Sequence, residues 1–177
     1  MSGPFDSWYG LAGGAVRPSR PQLDTVLPEL LVGEYPRVED LPWLRDEHGV
    51  TAVVSLQDDA DLASKRLRAP DLERACTALG LALHRVPVAD GDPEGLAINL
   101  PGVVDRLHAL IGGGGRVYLH CNAGYNRAPT VAIAYLHVHR GLSLDDACAL
   151  VKQRRSCVPY MSALRTCYQD PASSSGR

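Results

Sequence analysis

A cysteine and an arginine are separated by five residues in the run His120-Cys121-Asn122-Ala123-Gly124-Tyr125-Asn126-Arg127. Apolar Val117-Tyr118-Leu119 leads into it and Pro129-Thr130-Val131-Ala132-Ile133-Ala134-Tyr135 leads out. That context predicts a strand, a tight loop and a helix N-terminus. The backbone N–H groups of such a loop converge, and the helix behind adds a positive partial charge, so the segment suits a phosphate-sized dianion. Asn122, Ala123, Gly124, Tyr125 and Asn126 supply the loop, Cys121 its floor and Arg127 its wall. A thiol ionises readily in such surroundings and becomes a strong nucleophile. In-line attack by Cys121 on phosphorus would give a phosphocysteine and split one hard displacement into two easier ones. Arg127 can take two equatorial oxygens in a planar fork, which Lys cannot. Gly124 permits the turn and a close backbone approach. His120 is expected to orient the loop from behind rather than to enter the chemistry.

The leaving oxygen of such a reaction needs a proton, and hence a carboxylic acid from another loop. The stretch Val86-Pro87-Val88-Ala89-Asp90-Gly91-Asp92-Pro93-Glu94 follows an apolar strand and precedes a helix. Loops at the carboxyl ends of strands are where α/β folds keep their reactive groups. Asp90 and Asp92 both qualify by position. Asp90 is expected to be the acid, and then the base for a hydrolytic water. Asp92 is expected to fix the turn or cap the next helix.

The elements that must position these groups alternate along the chain. Short strands are predicted at residues 25–27 and 30–32, a helix at 38–48, a strand at 51–56, a helix at 70–79 and a strand at 81–88. A helix is predicted at 100–111, with Asn99 as its cap and Pro101 in its first turn. The strand at 116–120 delivers the nucleophile, and a helix at 129–140 ends at Gly141. Ser143 is expected to cap a helix whose first turn holds Asp145 and Asp146, and a last helix covers 161–168. Alternation of this kind implies a mostly parallel central sheet flanked by helices on both faces. Residues 1–20, rich in Gly, Pro and Ser, are expected to be a flexible arm. Residues 21–170 form the predicted domain, and 171–177 a disordered tail.

The run His-Cys-x-x-Gly-x-x-Arg with an Asp about thirty residues upstream resembles the Cys-dependent dual-specificity phosphatases of the protein tyrosine phosphatase superfamily. The similarity extends from about Leu23 to Asp170. Local likeness is to the plant glucan (starch) phosphatases and laforin, through residues 55–62, Leu100-Pro101-Gly102-Val103-Val104, Arg127-Ala128-Pro129 and Arg154-Arg155-Ser156-Cys157-Val158-Pro159. The resemblance implies a three-layer α/β fold of the protein tyrosine phosphatase type. It also implies a nucleophile at Cys121, a phosphate clamp at Arg127, an acid at Asp90 and no cofactor or metal. Several positions depart from the pattern. Ala128 replaces the hydroxyl residue that helps the thiolate leave, although the Ala-Pro pair is shared with the plant enzymes. Asn126 stands where glucan phosphatases have Gly. Gly91 replaces the aromatic after the acid, and residues 62–68 carry no ring. Sugars dock on aromatic platforms, so a protein phosphoester is the first expected substrate. A phosphoglucan, a phosphoinositide or a small phosphate ester stays open, as does a catalytically weak phospho-binding domain.

Competing readings of single residues are bland. Asp58, Asp59 and Asp61 suggest a metal cluster, but a solvated loop or helix cap is the expectation. His137 and His139, two apart on a helix, face different directions. Tyr125 lines the mouth of the loop or packs under it. Lys65, Arg66 and Arg68 read as a solvated helix face. A net charge of −2 in 177 residues gives no electrostatic case for nucleic acid or a membrane surface. The five cysteines, Cys76, Cys121, Cys148, Cys157 and Cys167, are odd in number and dispersed. With no secretory signal read at the start, they point to a reducing, cytoplasmic setting.

Overall fold

A computed structural model describes residues 19–168. The expected arm and tail therefore lie outside the described residues, apart from Ser19 and Arg20. Five strands form one sheet: β1 (Leu23–Leu27), β2 (Leu30–Gly33), β3 (Ala52–Ser55), β4 (Ala82–Arg85) and β5 (Val117–His120), in the order β1-β2-β5-β3-β4. β1 pairs antiparallel with β2, and every other pairing is parallel. Every residue of β2, β3 and β5 is buried, which suits central strands covered on both faces.

Side chains alternate across the sheet and divide the core in two. Leu31, Val53 and Tyr118 face one way and pack with Leu41, Leu44, Leu72 and Cys76. These belong to α1 (Leu41–Asp46) and α3 (Ala69–Leu79). Leu30, Val32, Val54 and Leu119 face the other way, against four helices. These are α4 (Pro93–Gly112), α5 (Arg127–Arg140), α6 (Leu144–Arg154) and α7 (Met161–Tyr168). The result is the expected three-layer α/β fold. Gly33 and Ser55 both pair with His120, so the carboxyl ends of β2, β3 and β5 finish level with one another. Cys121 follows immediately at that edge.

The sequence expectations need three corrections. The helix placed at 38–48 is a 3-10 turn, Val38–Asp40, followed by α1 with Pro42 near its start. A short helix, α2 (Asp59–Ser64), was not predicted and follows β3 directly. The helix placed at 100–111 begins at Pro93, and its cap is Asp92 rather than Asn99. Asn99 lies inside it and donates its amide to the Gly95 carbonyl at 2.8 Å. Pro101 sits in the helix interior, where the missing N–H costs about 3 kcal/mol. Leu96, Leu100, Val103, Val104 and Leu107 form one buried stripe that runs through it, and their burial outweighs that cost. β4 is shorter than the 81–88 reading. The chain beyond it still pairs, with Val86 N donating to Ser55 O at 2.8 Å and Val88 N to Leu56 O at 3.1 Å. The caps at Gly141, with φ +71°, and at Ser143, which accepts from Asp146 N, are as expected.

Candidate active site

The loop between β5 and α5 is shaped from outside. Cys121 O accepts from His120 Nδ1 at 3.1 Å, and Asn122 O from Tyr35 N at 3.0 Å. Ala123 O and Gly124 O accept from Arg155 Nη2 and Nε at 2.8 and 2.6 Å, and Tyr125 O from Val158 N at 2.9 Å. In a trans peptide the C=O and the following N–H point opposite ways. With these carbonyls turned toward the protein body, the N–H groups of residues 122–126 point into the bowl, as a dianion site requires. Gly124 has φ +61°, and a Cβ there would lie 2.5 Å from Gly33 O, so both its backbone conformation and its surroundings demand glycine.

Cys121 is 3% exposed at the end of β5. His120, behind it, is buried, and burial with the nearby Arg127 charge pushes its pKa down to about 4, against the opposing bond to Cys121 O. Its imidazole is therefore neutral near pH 7. Since a carbonyl only accepts, its proton is on Nδ1. The bond holds the first carbonyl of the loop from behind.

Arg127 is the first residue of α5 and is fully buried. Its Nη1 donates to Asp61 Oδ2 and Val88 O, both at 2.6 Å, and reaches Leu56 O at 3.4 Å. Its Nη2 lies 3.1 Å from Asp90 Oδ1 as an ion pair. Burial opposes its charge, but the Asp61 hydrogen bond and the charges of Cys121, Asp61 and Asp90 outweigh that and hold its pKa above the ordinary value. Nε and Nη2 are buried without a hydrogen-bond acceptor among the described residues. One edge of the fork is thus clamped by the protein, and the other keeps two donors for an anion.

Of the two readings open for Asp61, the helix cap holds, since its carboxylate accepts from Asp58 N to complete the capping box of α2, and the solvated loop does not. It is not a solvated residue: it is 6% exposed, and its carboxylate accepts from Arg127 Nη1, from Asn122 Nδ2 and from Asp58 N. Asn122 Oδ1 in turn accepts from Gln57 Nε2 at 2.7 Å. Asp58 does cap α2, accepting from Asp61 N at 2.8 Å. Arg155 is the other residue that sequence reasoning missed as a site member. It is 7% exposed, and its Nη1 is anchored to Asp24 Oδ2 at 2.7 Å.

Asp90 sits on an exposed turn with its carboxyl side chain 60% exposed and next to Arg127. Asp92 is the cap, its Oδ1 accepting from Gly95 N at 2.8 Å. Asn126 donates Nδ2 to Val158 O at 2.7 Å, so the residue that departs from the glucan pattern ties the loop to the segment after α6. Tyr125 is half-buried. Ala128 is fully buried in α5. His137 bonds Leu142 O, while His139 stacks on His108 at 3.9 Å, so the two point apart as expected. Lys65 lies 5.6 Å from the ring of Tyr35, whereas Arg66 and Arg68 are exposed. Among the described residues no group of three His, Cys, Asp or Glu side chains is placed to hold a metal ion, and no helix is long and apolar enough to cross a membrane.

A parallel sheet that delivers a thiol into an outward-braced loop, closed by an arginine fork, has the architecture of the protein tyrosine phosphatase superfamily. Residues 30–169 match the dual specificity phosphatase catalytic domain, and the chain belongs to that family. It is 33% identical over 142 residues to human dual specificity phosphatase 28, covering 80% of this chain and 73% of that protein. The crystal structure of that human protein superposes with a TM-score of 0.68 at 30% identity, covering 86% of this chain and 95% of that one. The chain is also 34% identical over 166 residues to the amyloplastic phosphoglucan phosphatase DSP4 of Castanea sativa, and 31% over 170 residues to laforin of Mus musculus. Those alignments take in 90% and 89% of this chain but 44% and 50% of the two relatives. The chain thus spans about half their length.

Proposed function

We propose that this domain hydrolyses phosphate monoesters through a phosphocysteine. The observation that carries the reading is the fork of Arg127 beside Cys121: its buried Nε has no acceptor among the described residues, and its Nη2 has only the ion pair with Asp90 at 3.1 Å. A phosphoryl group on the loop would satisfy both donors and the inward N–H groups. The Cys121 thiolate then attacks phosphorus in line. The S–P bond forms as the ester P–O bond breaks, and the leaving oxygen takes its electron pair and a proton from the Asp90 carboxylic acid. A water then attacks phosphorus while the Asp90 carboxylate accepts its proton. The P–S bond breaks, the thiolate is restored and inorganic phosphate leaves. No step calls on a metal.

Phosphotyrosine, phosphoserine or phosphothreonine in a protein is the favoured substrate, supported by the likeness to dual specificity phosphatase 28. The second reading is a phosphoglucan, favoured by the name of the chestnut relative, a phosphoglucan phosphatase. A cytoplasmic location is part of the same proposal. The test is phosphate release from phosphopeptides and from phosphorylated amylopectin, with Cys121→Ser as control. Release from peptides that Cys121→Ser abolishes supports the first reading. Release from amylopectin alone supports the second. Turnover retained by Cys121→Ser would overturn the mechanism.

A further inference from the structure

The acid turn has little to hold it in place. Gly91, next to Asp90, adopts φ +74°, and a Cβ there would meet nothing within 4 Å, so the turn stands clear of the body. Its internal backbone bond is long, Asp92 N to Ala89 O at 3.3 Å, and the Asp92 carboxylate is committed to capping α4. Arg127 meets the Asp90 carboxylate and, through Nη1, the Val88 carbonyl just ahead of the turn, but not the backbone of residues 89–92.

One side chain from outside reaches that backbone: Gly91 N donates to the hydroxyl of Tyr160 at 3.2 Å. Tyr160 is itself well anchored. Its N donates to Thr130 Oγ1 at 2.8 Å, and Thr130 Oγ1 donates to Asn126 O at 2.7 Å. Asn126 Nδ2 returns to Val158 O, two residues before Tyr160. The acid turn is therefore tied, through a closed ring of hydrogen bonds, to the loop that holds the phosphate. The Tyr160 hydroxyl also lies near enough to Asp90, Arg127 and Cys121 to feel the charges of all three, which places it at the reacting end of the cleft. Burial and the Asp90 charge raise its pKa, so it keeps its proton through the working range.

We propose that Tyr160 is a positioning residue for general acid catalysis: its hydroxyl holds the 89–92 turn so that the Asp90 carboxyl meets the leaving oxygen. The inference rests on Asp90 being the acid. It also gives the turn at Gly91 a partner, because the hydroxyl that supports it comes from after α6 instead of from the turn itself.

Tyr160→Phe removes the hydroxyl and keeps the ring and the backbone bond to Thr130. The measurement is kcat/KM for an alkyl phosphate, which needs a strong proton donor, and for p-nitrophenyl phosphate, whose leaving group needs little help. Tyr160→Phe should lose about tenfold on the alkyl ester, the order brought by one lost orienting hydrogen bond, and little on the nitrophenyl ester. Inhibition by tungstate, which needs only the phosphate loop, should be unchanged. In an Asp90→Ala background Tyr160→Phe should add nothing. Equal losses on both esters, weakened tungstate binding, or a full additional loss on top of Asp90→Ala would overturn the proposal. If Asp90→Ala itself fails to discriminate between the two esters, the acid assignment falls and the role of Tyr160 falls with it. A selective defect at Asp90→Ala but none at Tyr160→Phe overturns the Tyr160 proposal alone.

Discussion

Replacing Asp61 tests how the arginine fork is held. In the folded domain its carboxylate faces three donors: the Arg127 guanidinium, the Asn122 amide and the Asp58 N–H. Asp61→Asn keeps the shape but puts an NH2 group where one oxygen stood. The clash with Asn122 can be relieved if both amides rotate, because Gln57 Oε1 is a buried acceptor without a partner and can turn to face Asn122. What remains lost is the charge on the bond to Arg127. A bond to a charged group contributes about 1.5–3 kcal/mol and a neutral one about 0.5–1.5 kcal/mol, so Asp61→Asn should cost roughly 1–1.5 kcal/mol. Asp61→Ala leaves a buried guanidinium without its close carboxylate, a loss of about 3–5 kcal/mol in general. Arg127 still has the Val88 and Leu56 carbonyls and Asp90, which places this case near the lower figure. Guanidinium chloride unfolding at constant m measures both variants. A double-mutant cycle with Arg127→Met isolates the pair, with an expected coupling of about 1.5 kcal/mol or more. In parallel, kcat/KM for Asp61→Ala should fall on the order of 10–100-fold as the fork loses its orientation. Full stability and activity within about twofold of the original chain would refute the reasoning, because Arg127 would then be held by its carbonyls alone.

Four further outcomes follow from the same geometry. His120 has a folded pKa of about 4, below its ordinary 6.5, so the unfolded chain takes up a proton first as pH falls. Its contribution is present above pH 6.5 and is lost between 6.5 and 4, about 3 kcal/mol in all; urea melts across that window should show the slope in the original chain and lose it in His120→Gln. Arg155→Lys cannot span the Ala123 and Gly124 carbonyls at once, so tungstate should bind roughly tenfold more weakly by inhibition titration. On an alkyl phosphate Asp90→Ala should lose far more turnover than Asp92→Ala, whose cost should appear instead as about 1 kcal/mol of stability in a denaturant melt. Ala128→Ser restores the hydroxyl that the family pattern places after the arginine, and should reduce the pre-steady-state burst of leaving group by speeding phosphocysteine breakdown.

The parts of the site that lie close together in the chain were legible in its sequence. The strand ending at His120, the loop and the helix behind it are contiguous, and their apolar and glycine pattern identifies them without reference to the rest of the fold. Asp92 was legible as a cap for the same reason. The braces were not. Asp61 stands 66 residues from Arg127, in a run of acids that carries a real capping signal for α2, and nothing local distinguishes the one that turns inward. Arg155 stands 31 residues from Gly124, in the run 154–159 that carries the family likeness, and nothing local says that its side chain turns back to the loop. The start of α4 was misread by giving Asn99-Leu100-Pro101 more weight than Asp92-Pro93. The repeat of Leu96, Leu100, Val103 and Leu107, which crosses Pro101 without a break, was the signal that could have corrected it.

The way the loop is braced separates what is fixed in this domain from what can differ. Two of the struts, Tyr35 N to Asn122 O and Val158 N to Tyr125 O, are made by backbone alone. Any residue other than proline can supply such a bond, so the exposed side chain at 158 can change while the cradle beneath keeps its form. Val158 is already 52% exposed. On the proposed chemistry the cradle would take the phosphoryl group common to every monoester, and the surface around it would meet whatever carries that group. A lineage could therefore exchange one phosphorylated carrier for another by substitutions at that surface without rebuilding the chemistry.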